Sequence, residues 1–195
     1  MPRSSAQTRH RILEAAYRLF YRQGFLRSGV DAVAEAAGVT KRTLYNHFPS
    51  KDALIAAVLA ERAGMAEAEM RAWSRIGRLD PETLIRDLFT GLRRWAMMPE
   101  WRGSGFTRAA MELAWAPGHP ARHVAAEHKR AIEGLLTTAF SEGGATDPAR
   151  SARQSVLLIE GAMALRLIHG DGAYFDAAEA AALALIVPEA GPLSF

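Results

Sequence analysis

The sequence predicts an all-α protein of about nine helices, with a three-helix N-terminal head followed by a larger C-terminal helical domain. Three observations predict it. Apolar residues recur at helical spacing along almost the whole chain. Gly, Pro and capping residues interrupt that pattern at intervals of one helix. No stretch alternates apolar with polar residues or offers a hairpin turn. At 195 residues and 49% hydrophobic, the chain has enough apolar material for one good core or two small ones.

Between Ala6 and Arg22, the residues Ile12, Leu13, Ala15, Ala16, Leu19 and Phe20 make one apolar face, and Gly24 stops the helix. Val30, Val33, Ala34 and Ala37 make a second, short helix ended by Gly38. Thr40 caps a third, in which Leu44 and Phe48 point inward, and Pro49 cannot continue it. Ser50 caps a long fourth helix, expected to run from Lys51 to about Ile76. Asp80-Pro81 opens a fifth that runs to about Met98, before Pro99. A sixth is expected over 102–115. A seventh follows from His119-Pro120 to about Glu142, and an eighth from Asp147-Pro148 to the glycines Gly170 and Gly172. The ninth is expected from Tyr174 to Val187, ahead of Pro188.

Composition excludes several chemistries. With no cysteine, there can be no disulfide framework, thiolate zinc site, iron–sulfur cluster or cysteine nucleophile. No run of about 18 apolar residues lacks a charge, so no membrane span is expected. The N-terminus has no apolar stretch of the kind a secretory signal needs, which predicts a cytoplasmic address. Charge is uneven. Residues 1–62 carry ten Lys/Arg and five acids, a net of +5, while the remainder nets −2. A basic N-terminal third suits a polyanionic partner.

The sharpest chemical pattern lies in helices two and three. A helix-turn-helix needs a residue tolerant of positive φ at the turn, and Gly38 supplies it. It needs apolar residues to lock the helices together, a role for Ala34, Val39 and Leu44. It also needs a polar outer face able to enter a major groove about 12 Å wide. Lys41, Arg42, Thr43, Tyr45, Asn46 and His47 supply that face, and Lys51 opens the next helix where a cation and N-terminal amides meet a phosphate together.

The segment GFLRSGVDAVAEAAGVTKRTLYNHFPSKDAL resembles the DNA-binding domain of the TetR/AcrR family of transcriptional regulators. The matching pieces are Leu19-Phe20, Gly24-Phe25, Val30, Ala37-Gly38-Val39, Thr40, Leu44-Tyr45, His47-Phe48, Ser50-Lys51-Asp52 and Leu54, within about residues 7–60. The resemblance implies a DNA-binding domain over 1–50 and a ligand-sensing and dimerisation domain over 51–195. It implies a homodimer, paired through the last two helices, that reads a palindromic operator in double-stranded DNA. Tyr45 and Lys51 take the places of phosphate contacts. Lys41, Arg42, Thr43 and His47 take those of base or backbone contacts, and Thr40 that of the Ser/Thr at the helix start. Two positions depart from the pattern. Gly29 stands where the family often has a hydroxyl, with Ser28 beside it as a replacement. Arg42 stands where Gly is common. The Pro2–Gln7 tail, with Arg3, is expected to be disordered, with contact to the DNA backbone or minor groove as the alternative.

For the larger domain the resemblance implies a repressor released by a small hydrophobic or aromatic effector; an activator, or a regulator with no small-molecule ligand, is the alternative. Phe89, Trp95, Met98, Phe106, Met111 and Trp115 are the expected effector contacts, since rings and Met suit an adaptable cavity. Such residues at helical spacing also make ordinary core, and that reading stays open. Arg108 and Glu112, one turn apart, read as a solvated pair or as a handle for a polar ligand group. His119 and His123 share a helix face, but His128 falls about 140° away from His123, so the three lack a ligand set, read as surface histidines, and no metal or cofactor is expected. With no phosphate loop, zinc-protease motif or nucleophile elbow, no enzyme activity and no catalytic residue are expected.

Overall fold

A computed structural model describes residues 4–74 and 80–186. The described residues form nine helices and no strand, in the order α1 (Ser5–Gln23), α2 (Val30–Ala37), α3 (Lys41–His47), α4 (Lys51–Ser74), α5 (Pro81–Ala96), α6 (Gly105–Glu112), α7 (Pro120–Glu142), α8 (Pro148–His169) and α9 (Ala173–Ala184). None of these helices is long and apolar enough to cross a membrane. The chain divides into two compact units. One is drawn from Met1–Met65 and Ser104–His128, the other from Ala66–Gly103 and Lys129–Phe195.

In the first unit, Ser4 and Gln7 close a capping box at the start of α1. Ile12, Leu13, Ala15, Ala16 and Phe20 bury one face of that helix, as its spacing predicts. The Arg11 guanidinium donates to the carbonyls of Ala37 and Gly38, tying α1 to the turn between α2 and α3. The turn itself needs Gly38, whose φ of 61° is left-handed; the N–H of Val39 closes it on Ala34 O at 3.0 Å. A polar seam joins α1 to α4. There Arg62 pairs with Glu14 at 2.5 Å and lies 3.7 Å from the Tyr17 ring centroid, and His10 meets Glu61 at 3.3 Å.

In the second unit, Asp80 caps α5 by accepting from both the N–H and the hydroxyl of Thr83, and these bonds hold its carboxyl below the usual range. Leu84, Ile85, Leu88 and Phe89 of α5 join Leu136 and Phe140 of α7, Ile159 of α8 and Phe175 of α9 in one core. Arg93 bridges α5 to α9, bonding Asp176 at 3.0 Å and Glu179 at 2.6 Å.

Several expectations are corrected. Helix α6 is three residues shorter than expected at each end, because Ser104 caps it on Thr107 and the chain turns at Leu113–Ala114. Helix α9 ends at Ala184 in a turn through Leu185 and Ile186. The expected ends of α4 at Ile76 and of α9 at Val187, and Arg3, lie outside the described residues. His119 and His128 are not surface residues but 8% exposed. His119 Nδ1 accepts from the Ala121 N–H, its Nε2 lies 3.2 Å from Asp52, and His128 stacks on Phe106 with centroids 3.8 Å apart. Ser28 is buried too. Its hydroxyl lies 2.8 Å from Gly24 O and 3.2 Å from Leu19 O, and so holds the loop instead of reaching a phosphate.

Candidate nucleic-acid interface

Helix α3 is seven residues long, too short to be stable alone. Its position is set by the Thr40 cap and by two side chains, Leu44 (0% exposed) and the C-cap residue Phe48 (3%). With Leu44 committed inward, helical geometry turns Lys41, Arg42, Tyr45 and Asn46 outward, and all four are exposed. Thr43 and His47 are half-buried at the edges of that face. His47 packs 6.4 Å from the Phe48 ring, and Arg9 of α1 lies 5.2 Å from the same ring.

The local bonds divide the eight expected residues. Thr40 is spent largely on the helix, since its hydroxyl accepts from the Thr43 N–H at 3.1 Å and pairs with the Thr43 hydroxyl at 2.8 Å. Lys41 sits 2.9 Å from Asp31 of α2, and the hydrogen bond and charge of that acid raise the lysine above its usual range. Arg42, Tyr45 and Asn46 stand in solvent on the same short helix. Lys51, the first residue of α4, is half-buried and donates to Leu26 O at 2.7 Å. Burial pulls its ammonium below the usual lysine range, against the opposing charges of Asp52 and Glu112. Ser50 caps the same turn by accepting from the Ala53 N–H at 3.0 Å. The first unit therefore carries a short, anchored helix with a continuous polar face and a cation at the start of the following helix. That is the shape and chemistry of a major-groove reader.

The six expected effector residues are divided between the two units. Phe89, Trp95 and Met98 belong to the second unit, and Phe106, Met111 and Trp115 to the first. Phe89 and Phe106 are buried, Trp95 packs edge-on to Trp101 at 5.9 Å, and Met98, Met111 and Trp115 are exposed. The second unit holds a cavity of about 350 Å³ lined by none of the six; Ala96, Met97, Phe175, Arg93 and Arg166 form part of its wall. No spacing pattern marks those residues in the sequence, because they come from three separate helices and a connection.

Comparison with known proteins bears on the same surface. Residues 12–58 match the family model described as "Bacterial regulatory proteins, tetR family". The probable transcriptional regulator ArpR of Pseudomonas putida is 38% identical over 82 residues, 42% of this chain; the match spans only 39% of the length of that relative. A solved TetR-type regulator from Streptomyces avermitilis is 33% identical, with a TM-score of 0.77 over 90% of this chain and 97% of its own. SCO4454, a TetR-family regulator from Streptomyces coelicolor, is 26% identical with a TM-score of 0.83, over 93% of this chain and 96% of its own.

Proposed function

We propose, from the premise that this chain belongs to the TetR family of transcriptional regulators, that it is a homodimeric repressor that binds a palindromic operator and is released by a small hydrophobic or aromatic effector. DNA binding and transcription regulation come with the family; the repressor role, the dimer and the effector are the added reading. The observation that carries it is α3, whose exposed polar face stands on a buried Leu44. In the reading head, taken as residues 1–50 together with Lys51, Tyr45 and Lys51 contact phosphates. Lys41, Arg42, Thr43, Asn46 and His47 face bases or nearby backbone, and Thr40 orders the helix start.

The dimer reading is supported by α8. Leu157, Gly161, Ala164, Leu165 and Ile168 are all exposed and repeat at steps of four, three, one and three, a single apolar stripe. On α9 the exposed Ala177, Ala180, Ala181 and Ala184 make a matching face of small side chains. Apolar faces of this extent suit burial against a second copy in a two-fold bundle. The effector reading is supported by the cavity in the second unit, whose wall includes Arg93, Ala96, Met97, Arg166 and Phe175; Phe89, Trp95, Met98, Phe106, Met111 and Trp115, which do not line it, are proposed as effector contacts from their residue types alone.

Two experiments test this reading. Arg42→Ala is expected to change base preference at one position per half-site, by about 1–3 kcal/mol if the contact is bidentate. Tyr45→Ala is expected to weaken all duplexes alike. Selection from a random duplex pool checks both, and an unchanged sequence preference for Arg42→Ala rejects the base-reading role. For the effector, a hydrophobic compound present at 100 times its Kd should stabilise the protein by about 2.7 kcal/mol. In a polarisation assay that compound should also release DNA. Stabilising compounds that leave DNA binding unchanged would count against release.

A further inference from the structure

Arg108 and Glu112 of α6 are more than the surface pair their spacing suggests. Arg108 Nε donates to Glu112 Oε1 at 2.8 Å, which orients the carboxylate. Arg108 Nη1 donates to Tyr21 O at 2.9 Å, in the last turn of α1. Glu112 Oε2 accepts from the Leu26 N–H at 3.0 Å, and the carbonyl of that same residue accepts from Lys51 Nζ at 2.7 Å. Gly24 lets this approach happen. Its φ of 107° is closed to most side chains, and a Cβ there would stand 3.1 Å from both Arg108 Nη2 and Glu112 Oε1.

We propose that Arg108 and Glu112 are positioning residues for DNA binding: they hold the α1–α2 connection through Leu26, and Leu26 in turn aims the Lys51 ammonium at a phosphate. This rests on the reading of Lys51 as a phosphate contact. An ammonium has three protons, so the bond to Leu26 leaves two for DNA while fixing where they point. Residue 26 is thus gripped on both sides, by α6 at its N–H and by α4 at its C=O. A displacement of α6 reaches Lys51 with one backbone residue between them.

The sign of the effect separates this role from a purely electrostatic one. Glu112 acts on Lys51 through its charge, and removing an acid near a DNA-binding cation ordinarily strengthens binding to a polyanion. The positioning role predicts the reverse. The experiment uses the full chain and a duplex selected by the wild type, with Kd measured by polarisation between about 0.05 and 0.2 M salt. Lys51→Ala should lower the slope of log Kd against log salt by about 0.9, the loss of one phosphate. Glu112→Ala should lower the slope by a similar amount and weaken binding about tenfold, and the double variant should be no worse than Lys51→Ala alone. Glu112→Gln keeps the shape, removes the charge and should weaken binding in the same direction; it carries the comparison if circular dichroism shows that Glu112→Ala does not fold. Tighter binding or an unchanged slope in the Glu112 variants, with Lys51→Ala lowering the slope, overturns the positioning role and leaves the phosphate contact standing. An unchanged slope in Lys51→Ala overturns the phosphate contact and the positioning role together.

Discussion

Leu157→Glu combined with Ile168→Glu is expected to yield a folded monomer whose operator affinity is lower by about a thousandfold. The two side chains are 67% and 71% exposed, so the substitutions leave the core of the subunit untouched. They stand toward opposite ends of the apolar stripe on α8, with Gly161, Ala164 and Leu165 between them. In a two-fold interface each stripe meets its own copy, so the two substitutions place four carboxylates in it, each one desolvated. The expected loss in DNA affinity is large because, in the proposed dimer, one recognition helix brings the other to its half-site at high effective concentration. Separating them removes a factor of about 10²–10⁴ without touching any base contact. Sedimentation equilibrium measures the first effect and polarisation the second. A dimer of unaltered stability would place the interface elsewhere.

Leu44→Ala carries the second largest effect. The side chain is fully buried in α3 and, with Phe48, anchors a helix of seven residues. Truncating a buried leucine costs about 2–5 kcal/mol, through lost transfer energy and the cavity left behind. A helix this short has no stability of its own to absorb that loss. The polar face would keep every side chain and lose its orientation, so affinity should fall for specific and non-specific duplexes alike. Hydrogen exchange should accelerate at the amides of α3 before those of α8, which belongs to the second unit. Wild-type DNA affinity in this variant would show that α3 does not depend on its buried anchor.

The head was legible in the sequence because its boundaries are written in backbone chemistry. Gly38 and Thr40 mark the turn and the cap, Pro49 and Ser50 mark the next break, and Leu44 sets the register that turns Arg42, Tyr45 and Asn46 outward. Helix α6 was legible only in outline, since its ends depend on the Ser104 cap and a turn at Leu113 that no proline or glycine announces. The buried His119 and His128 were missed because their partners, Asp52 and Phe106, lie on other helices. Arg108 and Glu112 were visible as a pair, but their further partners are main-chain atoms 87 and 86 residues away. A carbonyl or an N–H carries no residue identity, so no spacing rule finds it. The cavity beside Arg166 has the same origin in long-range packing.

Dimethyl sulfate footprinting of a selected duplex tests the central claim most directly, because the reagent methylates guanine N7 in the major groove. Two protected blocks related by a dyad and one helical turn apart, about 34–36 Å, are predicted, with both lost in Leu44→Ala. A single block, or protection that persists when α3 is released, would contradict a paired reading of the groove by this helix.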